Sequence, residues 1–246
     1  MLLSRKHTII VLLTILVGIA MIFVIKTVHF KNDTEITEAY ENSGVPGIEQ
    51  YVRNYEVRKQ NISAKIQNLN RQYAQTLKNE LDKEVQDILQ NTTLEQPEML
   101  NTVLAQIEQY QSNNVFWDKN LPIDIDSWSM CRLTRGLTLN LLKPKTSPDI
   151  ERIKQEKLEI ILEYNSFGPA IPDAQIYNTI VFNNAQRYLY KFFEGRIGEK
   201  DLDDIFSRLL NSKDSSSFLS KTYNGVDYNF EYSGYSKELR IIFKWD

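Results

Sequence analysis

The longest pattern in the chain is helical. Between Ile48 and Gln96 there is neither Gly nor Pro, and Ile62, Ile66, Leu69, Tyr73, Leu77, Leu81, Val85 and Ile88 advance 26 residues in seven steps. A step of about 3.7 residues is the period of one straight helix face, while a left-handed coiled coil needs 3.5. The spacing predicts one long amphipathic helix whose stripe needs a cover, with coiled-coil dimerisation as the weaker version. A second helix, starting near Thr93 with Pro97 in its first turn, carries Leu100, Val103, Leu104 and Ile107 and is expected to fold back as an αα-hairpin.

Four further segments read as helices. Ser127 is a cap for a helix through Leu142 with Met130, Leu133, Leu137 and Leu141 on one face, and Ser147-Pro148-Asp149 starts another that carries Ile153, Leu158, Ile161 and Leu162. Asp173 after Pro172 is expected to cap a helix stopped near Gly195, and a shorter one covers Glu199 to Leu210. The period then drops to two. Val226, Tyr228, Phe230 and Tyr232 alternate with Asp227, Asn229 and Glu231, while Leu239, Ile241, Phe243 and Trp245 alternate with Arg240, Ile242 and Lys244, and Asn224-Gly225 suits a type I′ turn. This predicts a three-stranded antiparallel meander over 218–223, 226–232 and 237–245.

At the other end, Thr8 to Ile25 is an uncharged apolar run of 18 residues. As a helix it is about 27 Å long, close to the hydrocarbon thickness of a bilayer. The fold class expected is therefore mainly α (α+β): a single N-terminal transmembrane helix, a long amphipathic helix or hairpin, a helical bundle and a small C-terminal meander. The segments are a cytoplasmic tail at 1–7, a signal-anchor at 8–26, a linker at 27–46, a stalk at 47–112, a loop at 113–126 and a body at 127–246 with the meander from 217. The expected location is the inner membrane, single-pass, with the body on the periplasmic side and the bilayer contacted through residues 8–26.

Charge sharpens this division. All 32 acidic residues follow position 31, while four of the 29 basic residues lie within the first 31 positions, so Asn32 to Asp246 carries −7. An acidic body without a glycine-rich phosphate loop gives no support to nucleic-acid or nucleotide binding. The only histidines, His7 and His29, flank the apolar run. Histidine-based nucleophilic catalysis, histidine zinc sites and proximal-His haem are thereby excluded from the body. Cys131 has no second cysteine and reads as a small packing residue.

Carboxylates are the remaining chemistry. Asp118, Asp124 and Asp126 lie between Trp117 and Trp128, and glycan hydrolysis uses a carboxylate pair with aromatic platforms. Those acids equally suit a helix N-terminus, with the tryptophans anchoring a loop to the core. Asp201, Asp203 and Asp204 read as the dipole-favoured start of a helix. No catalytic, cofactor-binding or metal residue is assigned. The expected function is a non-enzymatic scaffold or protein-interaction component of the cell envelope, with a protein partner or self-association through the 48–90 helix. The alternative is an extracytoplasmic glycan-acting hydrolase built on the carboxylates near Trp117 and Trp128.

Overall fold

Strand alternation, not helical spacing, governs residues 128–142 and 157–163. The computed structural model describes residues 48–110, 115–117, 128–142, 157–211 and 215–244. The chain divides into two units, and the one treated below runs from Tyr55 onward with residues 146–148 excepted. Its strands are β1 (Trp128–Thr134), β2 (Leu137–Leu142), β3 (Lys157–Glu163), β4 (Ser216–Tyr223), β5 (Val226–Ser233) and β6 (Glu238–Lys244). The described helices are α1 (Ile48–Asn91), α2 (Pro97–Tyr110), α3 (Ala174–Phe193) and α4 (Glu199–Leu210).

The mainly α class with a helical bundle is therefore corrected to four described helices against one six-stranded antiparallel sheet of order β1-β2-β3-β6-β5-β4. The expected Ser127–Leu142 helix is the β1–β2 hairpin, turning at Arg135 and Gly136. Its buried positions Cys131, Leu137, Leu139 and Leu141 alternate with polar ones, and in β3 the buried Leu158, Ile160 and Leu162 alternate with Glu159 and Ile161. Gly136 sits at φ +76, and a Cβ there would stand 2.8 Å from Val181 Cγ1. No side chain fits between this turn and α3 without a shift. The C-terminal meander is not a separate small sheet, since β6 pairs with β3 from Lys157↔Lys244 to Glu163↔Glu238.

One sheet face is apolar and packs with α1, α3 and α4 in a common core. Its centre is aromatic: Phe193 lies 5.4 Å from Phe243 and 5.9 Å from Tyr228 between ring centroids, in edge-to-face arrangements. A second core joins the later half of α1 to α2 and the start of α3 through Leu81, Val103, Ile107, Tyr177 and Ile180. The α1 stripe is thus covered by the chain itself, with Ile62, Ile66, Leu69, Leu77, Leu81 and Val85 all buried. Asp173 does not cap α3 with its side chain. Its carboxylate accepts the Glu95 and Gln96 N–H groups at 2.7 and 3.2 Å, at the start of α2.

The opposite sheet face carries a polar ladder, in which Asn140 Nδ2 donates to Glu159 Oε2 at 2.8 Å and Arg240 Nη1 lies 3.6 Å from Glu159 Oε1. Buried polar groups inside the core are also satisfied: Tyr188 OH donates to Asn70 Oδ1 at 2.7 Å and Asn184 Nδ2 to Thr134 Oγ1 at 3.1 Å.

The membrane and inner-membrane expectations are corrected as well. Among the described residues no helix is long and apolar enough to cross a membrane. α1, the longest of them, is interrupted by charge throughout, and the run at 8–26 on which the single-pass reading rested lies outside the described residues.

Candidate functional site

The two ends of the sheet are treated differently by the surrounding chain. On the β1 side, Trp117 forms a β-bridge with Cys131. Its indole Nε1 donates to Ser63 Oγ on α1 at 2.8 Å, and Tyr55 of the same helix hydrogen-bonds Ser129. Trp117 therefore anchors a segment across the outer edge of β1. Cys131, read from sequence as a helix-packing residue, packs instead within a strand. Burial pushes its thiol up to about 12, which leaves it protonated and unreactive at neutral pH.

At the other end, β4 pairs with β5 only, and among the described residues nothing pairs with its outer edge. Asn224 and Gly225 both have positive φ and form a two-residue type I′ turn, so the flanking Tyr223↔Val226 pair is the hydrogen-bonded kind. Counting back by two, Lys221, Leu219 and Ser217 direct their N–H and C=O groups to β5. Ser216, Phe218, Ser220 and Thr222 direct theirs away from the sheet. The same four residues point their side chains away from the helices and are exposed, Phe218 by 62%. A row of backbone donors and acceptors without a partner among the described residues thus coincides with an exposed aromatic ring.

α4 holds this edge from behind. Leu202, Ile205, Phe206 and Leu209 are buried, while Ser217 Oγ donates to the Leu209 carbonyl at 3.2 Å. Asn224 Nδ2, next to Tyr223, donates to the Arg196 carbonyl just before α4 at 3.3 Å, so the first turns of α4 lie beside Tyr223, whose phenol is raised by burial and further by the charges of Asp201 and Asp204. The helix therefore runs antiparallel to β4. Asp203 lies on the far side, where it accepts a hydrogen bond from Tyr190 of α3. At the opposite end of β4, Gly234 N–H donates to Ser215 O at 2.7 Å, and a Cβ on Gly234 would come within 2.9 Å of that oxygen. A concavity of about 420 Å³ beside the edge is lined by Phe218, Glu231, Tyr232, Ser236 and Arg240 among others.

The residues singled out from sequence are not gathered into a site. Asp118, Asp124 and Asp126 lie outside the described residues, as do His7 and His29. Asp201, Asp203 and Asp204 stand in the first turns of α4. Among the described residues no group of His, Cys, Asp and Glu is placed to hold a metal ion. A groove of about 630 Å³ along α1 and α3 contains Glu80, Glu84 and Arg187, and these pair with one another, Arg187 Nη2 lying 2.6 Å from Glu84 Oε2. Sequence reasoning found β4 but not its place at the end of the sheet; the signal for its outward groups was Asn224-Gly225, which fixes their phase. Compared with known proteins, the chain matches no family model, no curated protein and no solved structure.

Proposed function

We propose that the protein is a non-enzymatic scaffold or protein-interaction component that engages its partner by strand addition at β4. The observation that carries this reading is the coincidence, on Ser216, Phe218, Ser220 and Thr222, of outward backbone groups with an exposed aromatic side chain. Strand addition derives affinity from main-chain hydrogen bonds and selectivity from alternate side chains. The edge strand is held rigidly for this purpose, by α4 behind it, by the Asn224-Gly225 turn at one end and by the Gly234–Ser215 contact at the other. The α1 stripe supplies no such surface, because the chain's own core covers it.

The test is the amide exchange of β4 in the full chain, alone and with a stoichiometric complex purified from its source and rebuilt from separated components. Slowed exchange at Phe218, Ser220 and Thr222 on assembly is the expected result. A complex that leaves these amides unprotected and survives Phe218→Asp would overturn the reading.

A further inference from the structure

We propose that the partner at this edge is a second copy of the same chain, with β4 paired antiparallel to β4 across a twofold axis at Leu219. This rests on the strand-addition reading above and names its occupant. When Leu219 faces Leu219, Phe218 of one copy is opposite Ser220 of the other, and Ser216 is opposite Thr222. Every outward-directed N–H and C=O of the four residues then meets a complementary group. Shifting the axis by one residue along the strand leaves an end pair unmatched, so this register satisfies the most backbone groups.

The side chains agree with it. The two Phe218 rings become diagonal neighbours on the outer face, within reach of one another, and each withdraws from water. The two Leu219 side chains meet on the inner face and continue the apolar core across the joint. Lys221 faces Ser217, so no like charges stand opposite each other.

The helices behind the strands supply charge complementarity. α4 lies over β4 and β5 and runs antiparallel to β4, its first turns by Tyr223 and its last by Ser217. The twofold axis sets the two α4 helices antiparallel, about 10 Å apart, which is an ordinary helix-packing distance. Asp203 is turned toward α3, and Asp201, Asp204 and Arg208 follow one another at helical spacing on the side toward the edge. Asp201 and Asp204 of one protomer therefore come to Arg208 of its partner, twice over by symmetry. A contact of one strand and one helix per copy is small for a stable dimer, so association is reversible and concentration-dependent.

The test is sedimentation equilibrium of the full chain over a wide concentration range, joined to cysteine crosslinking. Wild type is expected to show a monomer–dimer equilibrium. Phe218→Asp and Ser220→Pro should abolish the dimer while far-UV dichroism and Tm stay near wild type, since proline is tolerated on an edge strand whose N–H faces solvent. Arg208→Glu should weaken the dimer roughly tenfold, two exposed pairs being reversed at once. Opposed Cα atoms in such a pair are about 5.5 Å apart, inside disulfide range. Mixed Phe218→Cys and Ser220→Cys proteins should therefore crosslink to each other, and neither should crosslink alone. A monomer at all concentrations, a dimer indifferent to Phe218→Asp, or self-crosslinking of Ser220→Cys would each overturn the proposal. If a monomeric chain still protects its β4 amides in a complex with a different protein, strand addition stands and only the identity of the partner fails.

Discussion

β1 and β4 stand at equivalent ends of one sheet. The order β1-β2-β3-β6-β5-β4 sets two three-strand meanders side by side, and a twofold axis between antiparallel β3 and β6 would exchange β1 with β4. What differs is the chain around them. β1 has α1 beside it, hydrogen-bonded through Tyr55 to Ser129, and Trp117 bridged to Cys131 along its outer edge. β4 has α4 behind it and nothing among the described residues along its edge. The inner residues record the consequence: Cys131 and Leu133 are buried, while Ser217 and Leu219 are only half-buried. Topology thus creates two edges, and the flanking segments decide which one stays available.

The contrast between the two edges is strongest in the core. Leu133→Ala on β1 should cost about 2–5 kcal/mol, the range for emptying a fully buried leucine site. Leu219→Ala on β4, measured at dilution, should cost about 1 kcal/mol because less area is withdrawn from water there. Urea unfolding with unchanged m-values would measure both, and equal costs would erase the distinction. The turns provide the next contrast. Gly136→Ala meets positive φ and Val181 Cγ1 together and should cost about 2 kcal/mol or more. Gly225→Ala has positive φ but open space around it and should cost about 1 kcal/mol.

The same asymmetry explains which parts of the fold were legible in the sequence. β5 alternates cleanly and is preceded by the Asn224-Gly225 turn, so period two has no rival there and carries β4 and β6 with it. The first meander obeys two periods at once. Met130, Leu133, Leu137 and Leu141 fit a helix face, while Cys131, Leu137, Leu139 and Leu141 fit a strand, and leucine has no strong aversion to either. Gly136 in the middle of the run was the signal that favoured a hairpin. The span 157–163 poses the same ambiguity, because Leu158, Ile161 and Leu162 have helical spacing but Ile160 is the residue buried between Leu158 and Leu162. Helices marked by caps and breakers were easier, and α4 spans the expected Glu199 to Leu210. Asp173 shows the limit of local reading, since its carboxylate serves α2, far away in sequence. The candidate edge was illegible for a similar reason: β4 becomes an edge only because β6, not β4, pairs with β3.

A smaller effect tests how the β1 edge is closed. Trp117→Phe keeps the ring but removes the donor to Ser63 Oγ, which should cost about 1 kcal/mol. Amide exchange of β1 should then speed up next to Cys131 while β5 and β6 remain unchanged. Unaltered exchange would show that the bridge alone, without the α1 hydrogen bond, suffices to close that edge.

The smallest effect concerns the charge that α1 carries into its packing. Lys65 Nζ lies 4.6 Å from the centroid of the Phe192 ring, and burial, aided by the positive charge of Arg196, lowers its ammonium group to about 8. The unfolded chain keeps this proton to roughly 10.4, so between about pH 8 and 10 the unfolded state binds more protons than the folded one. Stability contributed by this site is therefore diminished at neutral pH and rises across that window. Cys131 opposes the trend from about pH 9, because burial holds its thiol up to about 12, and Tyr188 and Tyr190 oppose it above about pH 10, because burial raises both phenols. Lys65→Met should raise the urea midpoint at pH 7 and remove the gain that wild type makes between about pH 8 and 9, leaving the fall due to Cys131. Lys221→Met, on exposed β4, should change neither in the monomer. If Lys65→Met leaves the pH dependence between 8 and 10 as it is in wild type, Lys65 keeps its water in the folded state, and α1 covers the sheet more loosely at that turn than its buried neighbours Ile62, Ile66 and Leu69 require.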